Sequence, residues 1–80
     1  MEIRVFRMFR TPDGGSTTDA SVVGKSERET PDFWDVVLED DDGDAIEEYE
    51  NLTAEEAMTG IVTQLELRFP DADIDWGDPF

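Results

Sequence analysis

The fold is decided by residues 33–50, which read FWDVVLEDDDGDAIEEYE. The segment Phe33 to Glu39 is rich in β-branched and aromatic residues that alternate between two faces, which is the pattern of a strand. One face carries Trp34, Val36 and Leu38, and the other carries Phe33, Asp35 and Val37. We therefore predict a strand from Phe33 to Glu39.

An acidic turn and a second arm follow this strand. Asp42 and Gly43 form a residue pair that is favoured in type I′ hairpin turns. The arm from Ala45 to Glu50 is less apolar and places Ile46 and Tyr49 on opposite faces, which is typical of an exposed edge strand. The two arms together predict a β-hairpin.

The N-terminal segment contains another predicted strand, from Ile3 to Phe9. Its apolar residues shift in phase after Val5, which indicates either burial on both faces or a bulge. The turn residues 11–15, TPDGG, then reverse the chain. Residues 20–25 are predicted as a weak returning strand, and residues 26–32, which are polar and contain Pro31, as a loop.

A helix is predicted over residues 54–69. Thr53 and Glu56 have the spacing of a capping box, and Pro70 ends the helix. Gly60 weakens the middle of the helix and suggests a close backbone contact. Apolar residues recur at helical spacing, namely Ala54, Ala57, Met58, Ile61, Val62, Leu65 and Phe69.

Acidic and apolar residues alternate strictly over residues 71–76. This pattern predicts a last strand with Ala72, Ile74 and Trp76 inward and three aspartates outward. The whole chain, residues 1–80, is then one α+β domain with a mainly antiparallel sheet of about four or five strands and one helix packed on it. The residues predicted to be buried together are Trp34, Val36, Leu38, Ile61, Leu65, Ile74 and Trp76.

The 80 residues carry a net charge of −16, and the charge is unevenly distributed along the chain. Residues 1–28 hold five bases and four acids, whereas residues 29–80 hold 18 acids and a single base, Arg68. Such a density of carboxylates creates a strongly negative surface potential, which excludes nucleic acid as a direct ligand and favours a basic protein partner.

The composition argues against an enzyme. The chain has no cysteine and no histidine, so disulfides, thiolate chemistry, the usual zinc sites and the usual general base are absent. No nucleophile motif or phosphate-binding loop is present, and no cofactor or catalytic residue is predicted. The N-terminal segment has no apolar core of a signal peptide and no membrane span, so we expect a cytoplasmic protein without a membrane partner.

A calcium site is tested by its loop spacing. An EF-hand needs acidic ligands at positions 1, 3 and 5, glycine at position 6 and glutamate at position 12. Taking Gly43 as position 6 puts Leu38 at position 1 and Tyr49 at position 12, so the register fails. In the other acidic run, Trp76 stands where the glycine belongs. No metal site is predicted.

The arginines of the first strand are interpreted as partners of the many carboxylates rather than as a basic patch. Alternation places Arg4 and Arg10 on one face and Arg7 on the other. The acids therefore remain as the candidate partner-binding residues. They are Asp40, Asp41, Asp42, Asp44, Glu47, Glu48, Glu50, Asp71, Asp73, Asp75 and Asp78.

On the acids of Glu39 to Glu50 and Asp71 to Asp78, the chain resembles the small acidic DNA-mimic inhibitors of phages and mobile elements, the anti-restriction and anti-CRISPR proteins. The resemblance implies a stoichiometric inhibitor that occupies the DNA-binding channel of a bacterial defence complex, such as a CRISPR surveillance complex, in the cytoplasm of a host cell. Two alternatives stay open. The first is a salt-adapted domain of unrelated function, which the single lysine favours. The second is an acidic interaction module of another system.

Overall fold

A computed structural model describes residues 1–26 and 28–76. The chain folds as an α+β domain in which one helix packs on a five-stranded sheet. The elements in chain order are β1 (Glu2–Arg10), β2 (Ser16–Thr17), a 3-10 helix (Ala20–Val23), β3 (Phe33–Glu39), β4 (Ala45–Leu52), α1 (Glu55–Arg68) and β5 (Asp73–Asp75). The predicted fold class is confirmed.

The sheet has the order β2-β1-β3-β4, with antiparallel neighbours throughout. The last strand, β5, pairs in parallel with the first residues of β1. It lies on the same edge of β1 as β2, which pairs with the last residues of β1. The predicted hairpin is formed by β3 and β4, and β4 is an edge strand as expected. None of the helices in residues 1–26 and 28–76 is long and apolar enough to cross a membrane.

The hydrophobic core lies between the helix and one face of the sheet. Its buried residues are Ile3, Val5, Trp34, Val36, Leu38, Met58, Val62 and Leu65. Ile61 and Ile74 pack against this core and are half-buried. The prediction for Trp76 was wrong, because its side chain lies beyond the end of β5 and is 45% exposed.

The phase shift in β1 reflects burial on both faces. Seven consecutive residues of β1 pair with β3 without interruption, so no bulge separates the two phases. Ile3 and Val5 are buried in the helix-side core, whereas Phe6 and Met8 are half-buried on the opposite face. The sheet therefore has apolar side chains on the face that the helix does not cover.

The chain reverses at residues 11–15, as predicted. Gly14 has a φ of 89°, and its N–H donates to the carbonyl of Thr11. The returning strand was predicted wrongly at residues 20–25, because it consists of Ser16–Thr17 alone. Residues 20–23 form a 3-10 helix, which Asp19 caps by accepting the N–H of Ser21. Local side-chain capping thus overrides the β propensity of the two valines.

The hairpin turn differs from the predicted type I′. A type I′ turn needs positive φ at both central residues, but among the described residues of this turn only Gly43 has it, at 86°. The N–H of Gly43 donates to the carbonyl of Asp40, so the turn starts one residue earlier. The Asp40 carboxylate fixes this arrangement by accepting the N–H groups of Asp42 and Asp44, both at 2.9 Å.

The helix is confirmed, but its start was predicted wrongly. Ala54 is the N-cap and makes no side-chain capping bond, so Thr53 does not form the expected capping box. Phe69 is the C-cap, directly before Pro70. Gly60 is exposed, and a β-carbon there would meet nothing within 4 Å. The close backbone contact that we expected at Gly60 is therefore absent.

Candidate functional site

The structure places the candidate acids in three groups. The first is the hairpin tip with Asp40, Asp41, Asp42 and Asp44, the second is strand β4 with Glu47, Glu48 and Glu50, and the third is the segment with Asp71, Asp73 and Asp75. All are exposed except Asp40 and Glu47, which are half-buried. Asp78 lies outside the described residues.

Strand pairing brings acids from distant parts of the sequence into one row. Glu2 is in register with Glu39 on one side and with Asp73 on the other. Residues in register on neighbouring strands point to the same face, and the strands lie about 4.8 Å apart. The three carboxylates therefore stand side by side on the face opposite the helix. We call this surface the open face, and we call these three residues the acid row.

The next row of the open face contains both a cation and further acids. Arg4 is in register with Asp75 and with Val37, and Val37 in turn is in register with Glu48. Arg4 Nε donates to Glu2 Oε1 at 2.7 Å and lies 3.2 Å from Glu39 Oε1. The bond to Glu2, together with the negative charges of Glu2, Glu39 and Asp75, raises the pKa of Arg4. Arg4 thus offsets part of the repulsion within the acid row.

The predicted pairing of the arginines with acids is confirmed for Arg4, and the contacts of Arg7 and Arg10 lie elsewhere on the molecule. Arg7 points to the helix side and donates to the backbone carbonyl of Glu29 at 2.5 Å. The guanidinium of Arg10 lies 5.0 Å from the ring centre of Phe33, and its backbone N–H donates to Asp32 at 2.7 Å. Neither of the two reduces the charge of the acid row.

The hairpin tip combines structural and surface acids. Asp40 is used in the turn itself, as described above. Asp41 accepts a hydrogen bond from the amino group of Met1 at 2.5 Å, and this contact lowers the pKa of Asp41. Because the backbone N–H of Asp73 donates to the carbonyl of the same Met1, at 3.1 Å, the tip lies close to the acid row. The exposed acids Asp42 and Asp44 extend the negative surface beyond the sheet.

Glu47 belongs to a different surface from Glu48 and Glu50. It is in register with Leu38, whose side chain is fully buried on the helix side. Arg68 Nη1, at the end of α1, donates to both carboxylate oxygens of Glu47, at 3.1 and 2.8 Å. Glu47 therefore ties the edge strand to the helix and is not part of the open face.

The candidate partner-binding residues chosen from the sequence left out three acids of the open face. Glu2 and Glu39 are in the acid row, and Asp35 is in register with Phe6 on the same face. The charge pattern did not single out Glu2, because the first 28 residues are nearly neutral as a whole. The alternation of Phe33 to Glu39 does place Asp35 and Glu39 on one side, so the pattern contained a signal for these two.

Acidic residues also occur on the other side of the molecule. Glu55, Glu56 and Glu66 are exposed on the helix. The concentration of acids after residue 28 in the sequence therefore does not place all of them on one surface. What distinguishes the open face is the register that holds the acid row on three rigid strands.

A pocket of about 260 Å³ lies on the helix side, away from the open face. Its lining includes the apolar residues Val5, Trp34 and Met58, together with Arg7 and Arg28. This volume is below the usual range for small-molecule sites, about 300–1,000 Å³. Within residues 1–26 and 28–76, no group of three or more metal-ligating side chains is arranged to hold a metal ion.

The chemistry that the open face offers is attraction of cations. Carboxylates accept hydrogen bonds from arginine and lysine, and several on one surface attract a basic partner more strongly than isolated ones do.

In comparisons with known proteins, the chain matches no family model, no curated protein and no solved structure.

Proposed function

We propose that this protein is a DNA-mimic inhibitor, which binds the basic DNA-binding surface of a bacterial defence complex of CRISPR or restriction type and excludes target DNA. The observation that carries the proposal is the acid row, in which Glu2, Glu39 and Asp73 stand in register on three neighbouring strands.

The sheet supplies a fixed spacing of negative charge. Neighbouring strands are about 4.8 Å apart, and alternate residues along a strand, such as Asp73 and Asp75, are about 6.6 Å apart. Both residues are exposed on the strand that borders β1. A rigid array loses little conformational entropy on binding, which is an advantage over a disordered acidic segment.

The electrostatics favour a DNA-binding groove as the partner. Such grooves are lined by lysine and arginine that contact phosphates. A protein of charge −16 is attracted to them over long distances, which accelerates association. The exposed acids at the hairpin tip, Asp42 and Asp44, add to this attraction.

One observation favours a second candidate, a salt-adapted domain of unrelated function. The exposed acids of the helix, Glu55, Glu56 and Glu66, have no place in a single DNA-like surface. Their presence, with a single lysine in the chain, agrees with salt adaptation, in which acidic residues are spread over the whole surface. The two candidates differ in whether the position of the acids matters for binding.

The proposal is tested by competition for DNA. Labelled target duplex is bound to purified Cas9 with guide RNA, to a type I CRISPR surveillance complex, or to a type I restriction enzyme, and the protein is titrated in at several salt concentrations. We expect displacement from one of these complexes, with an affinity that falls steeply as salt rises. Failure to displace DNA from any of them would contradict the proposal.

Two variants that remove the same charge separate mimicry from general attraction. The first neutralises the acid row by Glu2→Gln, Glu39→Gln and Asp73→Asn, and the second neutralises the helix by Glu55→Gln, Glu56→Gln and Glu66→Gln. We expect the first variant to lose most of the inhibition and the second to retain it. Equal losses would show that only net charge matters.

A further inference from the structure

The open face also carries apolar side chains, and these have no counterpart in a phosphate backbone. Phe6 and Met8 of β1 and Val37 of β3 are half-buried there, each in register with a residue of the neighbouring strand. Ile46 of β4 is 49% exposed. Ile46 is the extra residue at an irregularity of the β3–β4 pairing, between Glu47, which is opposite Leu38, and Ala45, which is opposite Glu39 on the open face.

Phe6 and Met8 occupy the middle of the face, Val37 lies beside Arg4, and Ile46 lies nearer the acidic end, next to Ala45. Along β1 the open-face residues are Glu2, Arg4, Phe6, Met8 and Arg10 in order. The acid row lies at one end, next to the hairpin tip, and Arg10 lies at the other end, where it stacks on Phe33. The face therefore has an acidic end and an apolar middle, which gives it a direction.

This layout resembles the core and rim of a protein interface. Interfaces between proteins bury apolar and aromatic side chains at the centre and keep charged groups around them, where these groups select the partner and steer its approach. Charge alone would be served equally well by polar residues at positions 6, 8, 37 and 46. The face therefore suits a partner that has apolar side chains as well as cations.

We propose that the open face docks on a basic protein surface that carries an exposed apolar side chain among its lysines and arginines, and that Phe6, Met8, Val37 and Ile46 are the apolar part of this contact. The proposal rests on the proposed function, since it assigns the partner chemistry of the same face. The partner must be basic, because docking on a neutral or acidic protein would leave the carboxylates of the acid row without partners.

Two exposed aliphatic residues provide a matched test. Ile46 is 49% exposed in β4, next to the open-face residue Ala45, and Leu67 is 79% exposed on the helix. Ile46→Ser and Leu67→Ser each remove an exposed aliphatic side chain, so we expect both variants to melt at the temperature of the unmodified protein. Their dissociation constants are measured against the three defence complexes named above, at about 0.15 M and about 0.4 M salt.

We expect Ile46→Ser to weaken binding about tenfold at both salt concentrations and Leu67→Ser to leave it unchanged. Neutralising the acid row should instead reduce the dependence of binding on salt. Equal affinity of the Ile46 and Leu67 variants would overturn the apolar docking while leaving DNA displacement intact. Binding that is sensitive to Ile46 but does not displace DNA would overturn the inhibitor function and keep the docking surface. Absence of binding to all three complexes would overturn both.

Discussion

Arg68 holds Glu47 through two hydrogen bonds from the same guanidinium nitrogen, at 3.1 and 2.8 Å, and so connects the end of the helix to the edge strand. The hydrogen bond and the charge of Glu47 raise the pKa of Arg68. Arg68 is also the only base among residues 29–80. The contact therefore offsets part of the repulsion among the acids with a base from the same part of the sequence.

We predict that Arg68→Gln lowers the melting temperature more than Glu47→Gln. Both changes break the pair, but the first increases the net negative charge and the second decreases it. Because the pair is exposed to solvent, each effect should be a few degrees at most and should shrink at high salt. Thermal melts of both variants and of the double variant at low and high salt measure the coupling. Equal effects of the two single variants would contradict this account.

Leu65→Ala should destabilise the domain strongly. Leu65 is 1% exposed in the helix-side core, so its truncation leaves a cavity and is expected to cost about 2–5 kcal/mol in the free energy of unfolding. Leu67→Ala is the control, since Leu67 is 79% exposed on the same helix. Denaturant unfolding followed by circular dichroism compares the two. A near-neutral effect at Leu65 would show that the buried face of the helix is wrongly assigned.

Asp32 connects the loop before β3 to the end of β1. Its carboxylate accepts the backbone N–H of Arg10 at 2.7 Å, and the Lys25 amino group lies 3.5 Å away. The bond from Arg10, with a further contribution from Lys25, lowers the pKa of Asp32 below its ordinary value of 3.8. A lowered pKa in the folded state means that Asp32 stabilises the fold above about pH 4 and that this contribution is lost as pH falls through the folded pKa.

Asp32→Asn should therefore be less stable than the unmodified protein at pH 7 and equally stable at the lowest pH at which the fold persists. The measurement is the difference in the free energy of unfolding between the two proteins across pH 2–7. Asp42→Asn, at the exposed hairpin tip, controls for the loss of one negative charge. A difference at Asp32 that does not change with pH would contradict the proposed role of its ionised form.

The strands and the helix could be predicted from the sequence because their signals are local. The alternation of Phe33 to Glu39 and the helical spacing before Pro70 depend only on neighbouring residues, and both elements are found within about one residue of the expected bounds. The error at residues 20–25 arose where two local signals compete, the side-chain cap of Asp19 against the β propensity of the valines. Nothing in the structure explains why Thr53 does not cap the helix.

The acid row could not be predicted in the same way. Glu2 and Asp73 are in register through a parallel pairing of the two ends of the chain, and no local pattern specifies which strands become neighbours. The sequence indicated that acids after residue 28 are numerous, and most of those that the structure describes are exposed. It could not indicate that Glu2 completes their row or that Glu47 turns to the helix.

The response to low salt distinguishes a DNA mimic from a salt-adapted domain. At about 50 mM salt the Debye length exceeds 10 Å, so the carboxylates of the acid row repel one another with little screening. A DNA mimic must stay folded near physiological ionic strength, whereas a salt-adapted domain of charge −16 should lose its native circular dichroism signal well above it. We predict that the protein stays folded down to about 0.15 M salt, and unfolding below about 0.5 M would contradict the inhibitor function.

Arg4 should set how little salt the fold tolerates. Its guanidinium lies between Glu2 and Glu39, at 2.7 and 3.2 Å, so its removal leaves these two carboxylates without the counter-charge between them. Arg4→Gln is therefore expected to unfold at a higher salt concentration than the unmodified protein. Arg28→Gln, which removes an exposed positive charge from the loop before β3, is the matched control and should shift the unfolding midpoint less. The midpoints are read from circular dichroism during stepwise dilution of salt. If the two variants shift the unfolding midpoint equally, repulsion depends on net charge alone. The acid row then contributes no more to this repulsion than other acids do.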